Sequence, residues 1–142
     1  MRMAYESLLK KGLIKSFNAA PSQISDRIGL ARRDIDTART LSNSDWAYNI
    51  AYNAMLQAAR ALMFAEGYRS GGGEGQHKTV VQFSELALGR TFEEEVRFFE
   101  KMRIKRNQAV YDTPGIISEA EARQAIEFAA KFIGVIEETI EK

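Results

Sequence analysis

Cysteine is absent from the chain, and histidine occurs once, as His77, among 142 residues. The first absence excludes disulfides, thiolate zinc sites and cysteine nucleophiles. The second excludes a multi-histidine metal centre within one chain, so neither a metal nor a cofactor is expected. An excess of one charge sign is also lacking: 20 basic residues face 19 acidic ones, for a net charge of +1. No long-range basic field exists to attract nucleic acid, and any such binding must be local. No apolar run approaches the roughly 20 residues of a membrane span, and the first residues lack a signal-peptide pattern. The expectation is a cytoplasmic protein with no membrane partner. Proline occurs twice, and no stretch shows the alternation of a strand.

What is present reads as helices. Hydrophobic residues make up 45% and charged residues 27% of the chain, ordinary values for one globular domain. Residues 1–20 form an arm or short helix, with Tyr5, Leu8, Leu9, Leu13 and Ile14 suited to docking and Gly12 interrupting it. Residues 21–142 form a single helical domain. Pro21 or Ser22 opens a helix on which Ile24, Ile28, Ala31, Ile35 and Ala38 are spaced four, three, four, three. The run 42–45 (SNSD) ends that helix and caps the next. The next helix carries Ala47, Ala51, Ala54, Ala58, Ala61 and Ala65, small residues that let neighbours approach closely. It is expected to be central. Gly67 stops it. The run 69–76 (RSGGGEGQ) reads as a flexible glycine-rich loop, followed by a shorter helix from His77 to about Leu88.

The last two helices are announced by capping boxes, Thr91 with Glu94 and Ser118 with Glu121. The final one runs on Ala122, Ile126, Ala129, Ile133, Ile136 and Ile140 at four-three spacing. The pattern predicts an all-α fold, an up-and-down four-helix bundle with short additional helices.

The stretch 91–111 (TFEEEVRFFEKMRIKRNQAVY) departs from this regularity. Phe92, Val96, Phe99 and Val110 share one face at helical spacing. Extending the stripe from Phe99 by four and seven residues reaches Arg103 and Arg106, both within roughly 40° of the Phe99 direction. Permanently charged guanidinium groups thus stand where the pattern calls for leucine. One reading pairs them with acids of a neighbouring helix, such as Asp34 or Glu95, in a purely structural role. The other makes them an anion site, because guanidinium forks match phosphate and Asn107 and the Tyr111 hydroxyl add hydrogen bonds. Arg106 and Tyr111 lie about 140° apart on a straight helix, so they converge only if the helix frays or two subunits contribute.

Elsewhere the bland readings are favoured. The glycine-rich loop lacks the spacing of a P-loop and no strand precedes it. Tyr48, Asn49, Tyr52, Asn53, Gln57 and Arg60 are expected to form a solvated polar face of the central helix, or else a tyrosine face for a second subunit. Glu93, Glu94 and Glu95 read as first-turn acids complementing the helix dipole.

Four stretches together, 28–41 (IGLARRDIDTARTL), 47–67 (AYNIAYNAMLQAARALMFAEG), His77-Lys78, and 103–112 (RIKRNQAVYD), resemble the HEPN superfamily in that order. The resemblance spans roughly residues 22–140. It implies a four-helix bundle, commonly a homodimer, with a basic cleft between subunits. Members include metal-independent ribonucleases, often toxins of toxin–antitoxin pairs acting beside a minimal nucleotidyltransferase, and non-catalytic binders of nucleotide or RNA. The ribonuclease motif is arginine, four to six residues, then histidine. Arg106 matches the arginine and Asn107 the polar residue after it, but the histidine position is Tyr111. A phenol titrating near 10 relays protons poorly at neutral pH. Gln57 stands where many relatives have a second histidine, and His77 matches a histidine seen after the loop.

The resemblance therefore implies a non-catalytic module binding nucleotide or RNA phosphate through Arg103 and Arg106. Asn107, Tyr111, His77 and Lys78 would assist. The alternative is a metal-independent ribonuclease using Arg106 with Tyr111 or His77, and a third possibility is a module whose ligand is a nucleotidyltransferase partner.

Overall fold

A computed structural model describes residues 2–73 and 75–141, and the side chains from Ala4 onward. Met1 of the arm and Glu74 of the glycine-rich loop lie outside the described residues. The helices are α1 (Glu6–Lys10), α2 (Pro21–Thr40), α3 (Ser44–Glu66), α4 (Gln76–Leu88), α5 (Glu93–Asn107) and α6 (Glu119–Glu141). Single 3₁₀ turns occupy Arg2–Tyr5 and Arg90–Phe92, and a π-helical turn, Gln108–Asp112, follows α5. The fold is the expected helical bundle, with α2, α3, α5 and α6 as its long members.

Its centre is α3. Ala51, Ala54, Ala58, Ala59 and Ala61 are each fully shielded from solvent, and α2 and α6 pack on this alanine surface. Alanine has little side-chain entropy to lose and keeps helix axes close, which suits a helix surrounded on all sides. Ala31, Ile35 and Ala38 of α2 and Ala122, Ile126, Ala129, Ile133 and Ile136 of α6 complete this half of the core. On the other flank, Val96, Phe99 and Met102 of α5 and Val80 and Phe83 of α4 are buried. Among the described residues no helix is long and apolar enough to cross a membrane.

Caps explain most boundaries. The Asn43 side chain accepts from the Trp46 amide at 3.0 Å, and Gly67 ends α3 in the left-handed region at φ 95°. Ser118 and Glu121 exchange the two bonds of a capping box. The expected box at Thr91 does not form: Thr91 lies within the 3₁₀ turn, and α5 starts two residues later with Phe92 at its N-cap and no side-chain cap. First-turn acids Glu93, Glu94 and Glu95 face the uncapped amides' positive dipole end instead.

Two short strands accompany the all-α bundle without changing its class. Ile14–Ser16 (β1) pairs antiparallel with Tyr68–Ser70 (β2), in the register Ile14 with Ser70 and Ser16 with Tyr68. Three residues per strand are too few for alternation to be visible in sequence. The Gly71 amide donates to the Leu13 carbonyl at 2.8 Å, and a Cβ at Gly71 would collide with the Gly12 carbonyl oxygen. Glycine is required there. The arm is tied down as well: Tyr5 is buried, stacks on Phe83, and donates to Glu66 at 2.8 Å.

A polar strip along the central helix

Asn49, Tyr52, Asn53, Gln57 and Arg60 recur at helical spacing and form one strip along α3. The expected solvated face is not what this strip makes. Tyr52 is 1% exposed, Tyr48 is buried beside it, and the other four are partly buried. Both tyrosines belong to the chain's own core, which also overturns the reading of a tyrosine face left free for another subunit. Burial and the nearby Glu121 carboxylate push the Tyr48 hydroxyl up to about 12.

The polar members of the strip reach three different elements, α2, α4 and α5. Asn49 Oδ1 accepts from Arg106 Nε of α5 at 2.8 Å. The Tyr52 hydroxyl lies 3.3 Å from His77 Nδ1 of α4. Asn53 donates to Asp34 of α2 at 2.9 Å, Gln57 accepts from Arg27 of α2 at 2.7 Å, and Arg60 donates to Gln76 of α4 at 3.4 Å. Polar groups taken from water in this way must find partners, and here a neutral amide stands on one side of four of the five bonds.

Of the two motif arginines, Arg103 has an acid partner and Arg106 has none among the described residues, and neither pairs with the acids the structural reading named. Asp34 is engaged by Asn53, and Glu95 pairs with Lys131 of α6 at 3.3 Å. Arg103 pairs with Glu100 one turn back on its own helix, Nε to Oε1 at 2.5 Å. Arg106 bonds only to Asn49 and, at 3.2 Å, to Asn107 Oδ1, and among the described residues no carboxylate lies within ion-pair distance of it. Two ring faces flank it, Tyr52 at 5.7 Å and Tyr111 at 5.8 Å, which attract the guanidinium without cancelling its charge.

The second of those contacts depends on an element absent from the sequence expectations. On a straight α-helix Tyr111 would diverge from Arg106, but α5 gives way to a π-helical turn at Gln108. Widening the backbone repeat to i→i+5 returns the fifth residue to the same side. Neither fraying nor a second subunit is needed. The wider turn leaves Val110 42% exposed, against the expectation that it continues the Phe99 stripe, while Ala109 is buried. Tyr111 is 72% exposed, so its hydroxyl is open to solvent beside the guanidinium group.

His77 completes the group, partly buried at the start of α4. Burial, then Arg60, Arg106 and Arg103, hold it below the usual imidazole range. It is neutral at neutral pH. Burial raises the Tyr52 hydroxyl above its ordinary value, although Arg106, Arg103 and Arg60 oppose this, so the phenol keeps its proton. Among the described residues the imidazole nitrogen is the hydrogen-bond partner of that hydroxyl. Assigning Nδ1 as its acceptor leaves the imidazole proton on Nε2, as a donor. Lys78 is exposed and has no recorded side-chain partner among the described residues.

The arrangement thus brings together Arg103, Arg106, Asn107, Tyr111 and His77. Sequence reasoning underrated Asn49 and Tyr52, although polar residues at 49, 53, 57 and 60 on an otherwise apolar helix were a readable signal. A cleft of about 630 Å³ lies elsewhere, between the ends of α2, α3 and α6, and its Arg39 is paired with Glu127. No cluster of three or more metal-ligating side chains occurs among the described residues.

A family model described as HEPN domain matches residues 24–139, which is 116 of the 142 residues. No curated protein and no solved structure matches the chain.

Proposed function

The chain belongs to the HEPN domain family, a nucleotide- and RNA-related class of helical module, and from that premise we propose that it binds nucleotide or RNA phosphate without cleaving it. The observation that carries this reading is Arg106: a partly buried guanidinium, aimed by Asn49 and Asn107, flanked by two aromatic faces and lacking a carboxylate partner. A guanidinium held this way has donors to spare and no internal anion to satisfy them. Arg103 adds charge beside it, His77 offers its Nε2–H, and the exposed Tyr111 hydroxyl adds a further donor. Lys78 contributes charge at the mouth.

The absence of hydrolysis follows from the proton inventory. Cleavage of RNA through the 2′-hydroxyl needs a group that takes up and returns a proton near neutral pH. Tyr111 holds the position of the motif histidine, and His77 has its basic nitrogen engaged by the buried Tyr52 hydroxyl. A homodimer is part of the proposal. It is supported by Ile104, Val110 and Tyr111, which expose apolar surface around the end of α5. A minimal nucleotidyltransferase is the partner protein to seek by co-purification.

The test is equilibrium binding of ATP and of short single-stranded RNA to wild type and Arg106→Ala, with folding checked by circular dichroism. Binding weakened at least about tenfold in the variant is expected, the scale of one lost charged hydrogen bond. Equal affinity, or none for either protein, removes the proposal. Incubating the RNA in EDTA addresses the alternative: cleavage that disappears in Arg106→Ala would make the protein a metal-independent ribonuclease.

A further inference from the structure

Arg106 marks one end of the strip on α3; the other end, roughly 16 Å further along the helix at 1.5 Å per residue, closes on a second cationic cluster. A pocket of about 170 Å³ is lined there by Arg27, Arg60, Arg69, Ser70 and Gln76 over the Phe64 ring. Three helices or strands contribute its arginines, so no local sequence motif announces it. Arg27 donates to Gln57 and lies over Phe64, with 5.5 Å from guanidinium carbon to ring centre. Arg60 donates to Gln76, and Arg69 lies over Phe17 at 5.9 Å. Every other recorded partner is a neutral amide, a carbonyl or a ring; among the described residues none of the three arginines is paired with a carboxylate.

Three like charges drawn together with no acid paired to them among the described residues repel one another, and Arg60 is held below the usual guanidinium range by burial and then by Arg27. Two further features favour an anion. The Ser70 hydroxyl is buried without a hydrogen-bond partner at the pocket wall. Gln76 is the first residue of α4, whose N-cap, Gly75, provides no side-chain cap and whose first turn contains no acid. Among the described residues, then, no acid compensates the positive end of that helix where it borders the cluster. The volume is below the several hundred Å³ of a site that encloses a whole small ligand. It suits a single phosphoryl group.

We propose that the Arg27–Arg60–Arg69 pocket is a phosphoryl-binding subsite, separate from Arg106, at the loop end of the α3 strip. The proposal stands on this pocket alone and does not require Arg106 to bind anything. Its occupant is either a terminal phosphate or an internal phosphodiester of a nucleic-acid strand.

Thermal unfolding of the intact protein in inorganic phosphate tests it, against chloride at matched ionic strength. Wild type is expected to gain stability with phosphate concentration, as a ligand of the folded state requires. Arg60→Gln and Arg69→Gln should lose that gain while their midpoints in chloride stay equal or rise, since each removes a repelled charge. Arg106→Gln should keep it, which separates failure here from failure of the Arg106 reading. A short RNA with and without a 5′-phosphate then identifies the source. Affinity raised by the 5′-phosphate and restored to the unphosphorylated level by Arg60→Gln assigns a terminal phosphate. Equal weakening of both strands by Arg60→Gln, at least about tenfold, assigns an internal one. No phosphate-specific stabilisation of wild type, or the same stabilisation in Arg60→Gln, overturns the subsite.

Discussion

The two sides of α3 solve the problem of a central helix by opposite means. Toward α2 and α6 it offers alanine, with Ala51, Ala54, Ala58 and Ala61 wholly buried, and contact is made by close approach of backbones. Along its polar strip it offers amides, a phenol and a guanidinium, bonded to side chains of α2, α4 and α5. The first side leaves nothing unsatisfied. The second side holds Arg27, Arg60 and Arg106 in place with neutral partners and leaves their charge uncancelled. Packing accounts for the one, and an anion is what we propose completes the other.

That contrast breaks first at the core. Phe132 of α6 is fully buried against Phe99 at 5.1 Å between ring centres. Phe132→Ala should cost about 3–5 kcal/mol in denaturant unfolding, while the folded fraction keeps its ligand affinity. Ala58→Leu, which forces bulk into a fully buried position of α3, should cost about 1–3 kcal/mol. Arg106→Ala should behave in the reverse manner: stability changes by less than about 1 kcal/mol, because its partners are neutral, whereas RNA affinity falls at least about tenfold. The salt dependence of RNA binding should flatten by about one phosphate's worth of slope in the same variant. A variant that lost stability and binding together would erase the distinction between the two sides.

A pH experiment sharpens the comparison further. The folded state holds His77 below its unfolded value, chiefly through burial and then through the three arginines. The unfolded chain, with imidazole near 6.5, binds the proton more readily. The contribution of His77 to stability is thus complete above that pH and is lost as pH falls through the folded pKa. Wild type should lose midpoint temperature between pH 7 and pH 5 faster than His77→Gln does. Parallel curves would remove His77 from the arginine field. The smallest effect is expected at the exposed Arg39–Glu127 pair, 2.8 Å apart, where Glu127→Ala should change stability by less than about 1 kcal/mol.

How far the sequence could be read follows the same division. The four-three seams of α2 and α6, the alanine density of α3, and the Ser118 cap were legible because burial imposes a period on residue type. The arginines at 103 and 106 were legible as an interruption of that period. The placement of Tyr111 was not, because a π-helical turn leaves no periodic trace and is decided by how α5 meets the turn before α6. The strip on α3 was misread as solvated because its partners lie on α2, α4 and α5, remote in sequence. Arg27, Arg60 and Arg69 are likewise 33 and 9 residues apart, and only the pairing of β1 with β2 and the packing of α2 on α3 bring them to one pocket.

The most direct measurement is a crystal structure of the protein with a short RNA or ATP bound. The account requires a phosphate oxygen within hydrogen-bonding distance of the Arg106 guanidinium, with Asn49 still holding its Nε and the Tyr111 ring alongside. Phosphate bound at a distance from α3, with Arg106 turned to a carboxylate of a second subunit, would contradict it.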